Sequence, residues 1–93
     1  MNKKDLINEV CYKTKLTKKE IDMVLTSTLE IIVAKVSQGE RVRFVGFGSF
    51  YKFTKKFALQ SVNNIDLSEI SIAKFSPGKF FIKKTSENSI HSN

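Results

Sequence analysis

Few of the residues that form disulfides, metal centres or catalytic groups are present in this chain. Its 93 residues contain one cysteine, one histidine, one proline and no tryptophan. Cys11 therefore has no partner for an intrachain disulfide, and His91 has no nearby histidine or cysteine with which to share a metal. The sequence also lacks clustered carboxylates, a nucleophile paired with a base, and a phosphate-binding glycine loop. We therefore predict no enzymatic activity, no cofactor and no small-molecule substrate.

Long apolar segments are missing as well. No run reaches the roughly 20 apolar residues that a membrane-spanning helix needs, and residues 1–5 do not begin a signal peptide. We therefore expect no membrane partner, and a protein that works in the compartment where it is made. The abundance of Lys, Ile, Phe and Asn, with little Gly, Ala, Arg or Pro, is typical of an A+T-rich genome, either bacterial or plastid.

Positive charge is in excess. Sixteen Lys and Arg against nine Asp and Glu give a net charge of +7, which favours a polyanionic partner. The alternative is a basic surface that only keeps the protein soluble. Arg41 and Arg43 are the only arginines, and lysine suits phosphate contact better than bidentate recognition of guanine. The composition therefore predicts weak sequence specificity in any contact with nucleic acid.

Capping residues and apolar spacing predict an N-terminal helical hairpin. Asn2 caps a first helix that runs through Lys13. Thr17 and Glu20 form a capping box that opens a second helix, and Gly39 ends it. The second helix has a wide apolar face, made of Ile21, Val24, Leu25, Thr28, Leu29, Ile32, Val33 and Val36.

The rest of the chain predicts a short sheet with a long ribbon. Residues 41–44 alternate as a half-buried strand does, and two further strand-like runs fold about Asn63-Asn64, a two-residue hairpin signal. We place a protruding arm at about residues 51–75 and a short terminal helix or turn at 80–84. The fold class is thus α+β in a single domain, residues 1–84, followed by a polar tail, residues 85–93.

This body exposes more apolar surface than one chain can bury. The wide face of the second helix is joined by four phenylalanines: Phe44, Phe47, Phe50 and Phe81. A chain of this length has a thin core, so self-association is the natural way to cover that surface. We predict a two-fold homodimer, which would present two basic arms symmetrically.

Three segments carry a resemblance to a known family. They are Met1-Asn2-Lys3 with Leu6-Ile7, the corner Gly46-Phe47-Gly48-Ser49-Phe50, and Phe75-Ser76-Pro77-Gly78-Lys79. On these the chain resembles the bacterial HU/IHF-type histone-like DNA-binding proteins over residues 1–84. The resemblance implies an intertwined dimer that wraps and bends double-stranded DNA through the minor groove and compacts and stabilises the nucleoid. It implies a nucleoid location, in a bacterial cytoplasm or an organelle-encoded plastid setting.

The arm departs from the family pattern. Family arms usually carry a proline near the tip that wedges between base pairs, whereas the only proline here is Pro77, at the base of the ribbon. Val62 and Ile65 flank the predicted turn and are the candidate intercalating residues. The alternative is that they form a cross-strand pair that only stabilises the turn.

The candidate DNA contacts are lysines. They are Lys3, Lys18, Lys52, Lys55, Lys56, Lys79, Lys83 and Lys84. Lys55 matches an arm position of the family, Lys79 lies in the matched Pro-Gly-Lys segment, and Lys3 matches a saddle position; a solvated surface is the alternative for each. A second set is structural and forms the corner: Gly46, Phe47, Gly48, Phe50, Phe75, Pro77 and Gly78. Phe53 and Phe57 lie on the ribbon and are candidates for packing against sugar edges.

Two other functions remain open from sequence. One is a sequence-selective IHF-like subunit that needs a different partner. The other belongs to a different class, a basic interaction module whose ribbon grips an acidic protein or a membrane surface. The glycine-phenylalanine corner and the lysine-lined hairpin favour the architectural DNA-binding reading over both.

Overall fold

The structure is a computed structural model that describes the backbone of residues 1–60 and 65–91 and the side chains of residues 1–58 and 68–88. The described elements, in chain order, are α1 (Lys3–Thr14), α2 (Lys18–Ser37), β1 (Val42–Phe44), β2 (Gly48–Gln60), β3 (Ile65–Pro77) and α3 (Lys79–His91). Residues 1–33 and 34–93 form two units. The α+β class with a helical hairpin, a short antiparallel sheet and a terminal helix is confirmed.

Helix α1 begins where the sequence predicts. The Asn2 side chain accepts a hydrogen bond from the Asp5 N–H at 3.0 Å, and the Asp5 carboxylate accepts one from the Asn2 N–H at 3.2 Å. This reciprocal capping box satisfies two amides that the helix leaves unpaired. The helix ends one residue later than predicted, where Lys15 adopts a left-handed conformation with φ 65° and donates its N–H to the Cys11 carbonyl at 2.8 Å.

Both predicted ends of α2 are confirmed. The Thr17 hydroxyl accepts a hydrogen bond from the Glu20 N–H at 3.2 Å. At the other end, Gly39 has φ 92° and donates to the Val36 carbonyl at 2.9 Å, while Glu40 donates to the Lys35 carbonyl at 3.0 Å. This pair of bonds is the Schellman arrangement, which glycine permits because the left-handed conformation does not strain it.

The three strands form one antiparallel sheet in the order β1-β2-β3. Strand β1 is short and pairs only with the start of β2, from Val42 opposite Phe50 to Phe44 opposite Gly48. The β2–β3 ladder is much longer and runs from Gly48 opposite Pro77 out to Gln60 opposite Ile65. The predicted arm is therefore a two-stranded ribbon, while the predicted turn at 63–64 lies outside the described residues.

The terminal helix is longer than predicted. We expected a short helix or turn over residues 80–84, but α3 runs from Lys79 to His91. No glycine or proline interrupts residues 85–91. The Thr85 hydroxyl bonds back to the Phe81 carbonyl at 2.9 Å, and Lys84 lies 3.7 Å from Glu87 one turn on. Polar composition indicated a tail, but polarity alone does not end a helix. The division into a domain 1–84 and a tail 85–93 stays a prediction.

The glycine corner joins the β1–β2 turn to the start of α3. Gly78 donates its N–H to the Phe47 carbonyl at 2.8 Å, and Phe80 donates to the Gly46 carbonyl at 3.1 Å. A Cβ added at Gly78 would lie 2.5 Å from the Gly46 carbonyl oxygen. Two backbone segments thus approach more closely here than any side chain would allow.

Phenylalanine rings pack around this corner. The Phe47 ring centroid lies 5.5 Å from that of Phe75 and 5.4 Å from that of Phe81, and Phe50 lies 4.8 Å from Phe75. Phe44 meets Phe47 edge-on at 6.2 Å. These distances are typical of aromatic clusters, whose members gain stability beyond the burial of their area. The rings hold the sheet against α3, which positions the base of the ribbon.

We expect Gly48→Ala to destabilise the fold far more than Gly39→Ala. At Gly48, with φ 153°, an added Cβ would lie 2.6 Å from the Ser76 carbonyl oxygen and 2.5 Å from the Phe75 ring, so the expected loss is roughly 3 kcal/mol. Gly39 has open space around it and only the strained φ, so we expect a loss of about 1 kcal/mol. Urea unfolding at one protein concentration measures both, and equal losses would contradict the described corner.

Candidate nucleic-acid interface

The ribbon has two chemically different faces. Residues directly opposite each other in an antiparallel ladder share a face, and successive residues alternate between faces. The register assigns to one side, here called the aromatic face, Tyr51, Phe53, Lys55 and Phe57 of β2 with Ser68, Ile70, Ile72 and Lys74 of β3. It assigns to the other side, here called the polar face, Lys52, Thr54, Lys56 and Ala58 with Glu69, Ser71 and Ala73.

Cations stack on the rings of the aromatic face. The Lys74 ammonium lies 4.6 Å from the Phe53 ring centre. The Arg41 guanidinium lies 4.5 Å from the Tyr51 ring centre. Both distances are within the range of cation–π attraction, which holds each charge at a defined height above the sheet. Arg43 is paired with Ser49, so it lies on this same side of the sheet.

The polar face is held by hydrogen bonds at its base. Lys52 donates to the Ser37 carbonyl at 3.3 Å, at the end of α2, where the helix dipole favours a cation. Farther out, Thr54 and Ser71 share a hydrogen bond of 3.0 Å, and Lys56 lies opposite Glu69. The three arm lysines predicted as phosphate contacts are therefore divided: Lys55 lies on the aromatic face, and the other two lie on the polar face.

A second basic region lies beside the corner. Arg41, Arg43 and Lys79 line a cleft of about 550 Å³, together with backbone of the Gly46 and Gly78 segments. Lys79 is the first residue of α3. The predicted contacts Lys83 and Lys84 follow one turn later on this helix, where Lys84 is partly engaged with the ring of Phe80 at 5.9 Å and with Glu87.

The third basic region lies within residues 1–33. A cleft of about 600 Å³ is lined by Lys3, Lys4, Ile7, Asn8, Lys18, Lys19 and Asp22. Lys3 forms an ion pair with Asp22 at 3.0 Å and also donates to the Thr26 hydroxyl. The hydrogen bond and charge of Lys3 hold the pKa of Asp22 below its usual value, so Asp22 is ionised at neutral pH and protonation in acid would break the pair. Lys18, by contrast, forms no ion pair with any described carboxylate.

Three cations that we did not predict as contacts belong to these regions in the structure: Arg41, Arg43 and Lys74. The signal for the arginines was present, because the alternation Arg41-Val42-Arg43 puts both on one side of a strand. The face on which Lys74 lies could be assigned only from the strand register, which pairs Lys74 with Tyr51. Of the two predicted tip residues, Val62 lies outside the described residues, and Ile65 begins β3 but its side chain is not described.

Two observations concern other classes of site. In residues 1–60 and 65–91, no helix is both long enough and apolar enough to cross a membrane. Over the same part of the chain, no group of three or more His, Cys, Asp or Glu residues is arranged to hold a metal ion.

Comparison with known proteins gives one family. The family described as "Bacterial DNA-binding protein" matches residues 1–86. DNA-binding protein HU of Nostoc sp. is 39% identical over 89 residues, which cover 90% of this chain and 94% of the relative. DNA-binding protein HU of Thermotoga maritima is 38% identical over 89 residues, covering 90% of this chain and 98% of the relative.

Solved structures agree. The Anabaena HU–DNA cocrystal structure superposes with a TM-score of 0.75 at 38% identity, covering 92% of this chain and 98% of that chain. HU from Thermotoga maritima superposes with a TM-score of 0.69 at 35% identity, covering 91% and 98%. With a family match across nearly the whole length and relatives well above 30% identity, this chain belongs to the bacterial DNA-binding protein family that includes HU.

Proposed function

We propose that the protein is a histone-like architectural protein that binds, wraps and bends double-stranded DNA with little sequence specificity, and so compacts and stabilises the nucleoid. The observation that carries this proposal is the long β2–β3 ribbon with lysines on both faces, in a chain of this family. A ribbon of this kind follows a groove, and lysines along it neutralise phosphates of any sequence. A solved relative of similar fold, HU of Anabaena, was crystallised with DNA.

The proposed phosphate contacts are the lysines predicted from sequence, on all three basic regions. In the described part of the chain, Lys18, Lys55, Lys56, Lys79 and Lys83 form no ion pair, so each has its full charge available for a phosphate. We add Arg41, Arg43 and Lys74, which share the aromatic side of the sheet with Lys55. Lys3 contacts a phosphate by exchanging its bond to Asp22 for one to DNA.

The working unit is a homodimer. Ile7, Ile21 and Val36 are the only buried apolar side chains among those described, and no large side chain is fully buried. Leu29 on the apolar face of α2 and Phe44, Phe47 and Phe81 at the corner all remain exposed in the single chain. A second copy covers these surfaces, which is the usual solution for a chain whose own core is too small.

The proposal includes no enzymatic activity, because the family is one of DNA-binding proteins and not of enzymes. It places the protein in the nucleoid of a bacterium or a plastid. The relative from Nostoc is cyanobacterial, which fits both origins.

We expect the arm to bend DNA less sharply than proline-tipped relatives do, because the arm has no proline near its tip and the candidate wedges there, Val62 and Ile65, are less rigid. Unstacking a base step requires a few kcal/mol, which an apolar wedge supplies and lysines alone do not. Gel shift on random, nicked and A+T-rich duplexes, with fluorescence transfer between the DNA ends, measures binding and bending together. Binding to none of these duplexes would overturn the proposed function.

The double variant Val62→Ser with Ile65→Ser tests the wedge itself. If the two side chains intercalate, bending is lost while affinity for a linear duplex is largely kept, because the lysines are unchanged. Unchanged bending in the double variant would mean that these residues only stabilise the turn. The control is Ala58→Ser, a substitution on the polar face of the ribbon that leaves both tip residues unchanged.

A further inference from the structure

The aromatic face carries a continuous apolar strip that the lysines do not explain. Phe53 lies directly opposite Ile72, Lys55 opposite Ile70, and Phe57 opposite Ser68. Phe53 and Ile72 are 43% and 44% exposed, and Phe57 and Ile70 are exposed as well. Three successive pairs of the ribbon therefore present four apolar side chains to the surroundings, which is unusual for a solvated arm.

The charge around this strip identifies its occupant. Arg41 and Lys74 are stacked on the rings at its inner end, and Lys55 lies within it. Among the side chains described on this face, none is a carboxylate; Glu69 is on the polar face, and the one acidic residue that the register assigns to the aromatic face, Asp66, is opposite Leu59, beyond the strip. A second copy of the ribbon would bring these cations against an identical set, and like charges in contact are repulsive. A polyanion with an apolar surface between its charges is complementary to both features.

We propose that the aromatic face packs on the sugar edges of duplex DNA and makes the protein discriminate DNA from RNA; the inference rests on the proposed function. Deoxyribose presents C–H groups where ribose presents a 2′-hydroxyl, and that hydroxyl lines the wide minor groove of an RNA duplex. Phe53, Phe57, Ile70 and Ile72 offer such a hydroxyl no hydrogen-bond partner, so contact with RNA leaves it desolvated and unpaired. Deoxyribose meets no such penalty, while the flanking cations reach the phosphates in either case.

The test compares two double variants at adjacent positions of the ladder. Phe53→Thr with Ile72→Thr removes the central apolar pair and keeps β-branched side chains that suit a strand. Thr54→Val with Ser71→Val alters the next pair, on the polar face, and is the matched control. Affinities of wild type and both variants are measured for a DNA duplex and an RNA duplex of the same sequence, with circular dichroism and sedimentation as checks on folding and mass.

Wild type should bind the DNA duplex more tightly than the RNA duplex, by a factor of about ten or greater. The Phe53→Thr, Ile72→Thr variant should lose most of that preference with an unchanged salt dependence, and the control should keep it. If the folded Phe53→Thr, Ile72→Thr variant keeps the wild-type preference for DNA over RNA, the inference is overturned. If the mass of that variant changes while its preference does not, the strip is a contact between copies of the protein, and the inference is overturned as well. Equal binding of DNA and RNA by wild type also overturns it.

Two further measurements separate the possible failures. Failure of wild type to bind either duplex counts against the proposed function itself. If the first variant does not fold, Phe57→Thr, farther out and opposite Ser68, is measured in its place, with the same expected loss of preference and the same overturning result.

Discussion

Dilution is expected to unfold this protein and not to release a folded monomer. The apolar face of α2 and the phenylalanines of the corner have too little cover within one chain, so folding and association are a single equilibrium. Each tenfold increase in protein concentration should then add about 1.4 kcal/mol to the unfolding free energy of the dimer. Thermal or urea unfolding over a hundredfold range of concentration measures this shift.

Two substitutions on α2 sharpen this test. Leu29 and Ile31 are 48% and 59% exposed in the single chain, but they lie about 200° apart around the helix. Leu29→Asp would bury an unpaired charge in the dimer and should remove roughly 3–5 kcal/mol of stability, enough to leave the chain unfolded at micromolar concentration. Ile31→Asp, off the apolar face, should change stability little. A compact folded monomer in sedimentation, for wild type or for Leu29→Asp, would refute the obligate dimer.

Salt should weaken DNA binding more than any single substitution does. If roughly six to ten phosphates are neutralised per dimer, affinity should fall by about 10³–10⁵ between 50 and 200 mM salt, nearly equally for all sequences. The reason is the release of counterions from DNA, which lysines bring about without reading bases. Titrations at several salt concentrations on random and A+T-rich duplexes give the slope of the logarithm of the affinity against the logarithm of the salt concentration.

Single lysine substitutions should reduce that slope in steps. Lys55→Ala and Lys79→Ala should each lower it by about 0.9 per protomer and weaken binding to all sequences alike, with the fold intact. Lys13→Ala, in the last turn of α1 and outside the three basic regions, is the matched control and should change little. A salt-insensitive affinity, or a strong preference for one sequence, would contradict lysine-to-phosphate binding as the main source of affinity.

Local signals made the helices predictable. Asn2, Thr17 and Gly39 act on amides and carbonyls within a few residues of themselves, so their effect can be read from the chain, and the helix ends fall within one residue of the prediction. The end of α3 was missed because residues 85–91 carry neither a stop signal nor an apolar stripe strong enough to indicate continuation. Absence of a signal is weak evidence about a helix end.

The faces of the ribbon could not be predicted with the same security. Their composition depends on register, and a slip of one residue would exchange the aromatic face for the polar face. The division of Lys52 and Lys55 between faces, and the pairing of Lys74 with Tyr51, follow only once Gly48 is seen opposite Pro77. Likewise, the bond from Lys52 to Ser37 joins residues 15 apart in sequence, which no local pattern indicates.

We expect the backbone bonds at the corner to determine which part of the protein adapts to DNA of different curvature. Because Gly78 is bonded to Phe47 and Phe80 to Gly46, the β1–β2 turn and the first turn of α3 move as one piece. Rotation of the arm must therefore be taken up by twisting of the ladder beyond the Gly48–Pro77 pair. If both lysines contact phosphates as proposed, we expect Lys79 to keep its place on a straight and on a bent duplex, and Lys55 to move with the DNA strand.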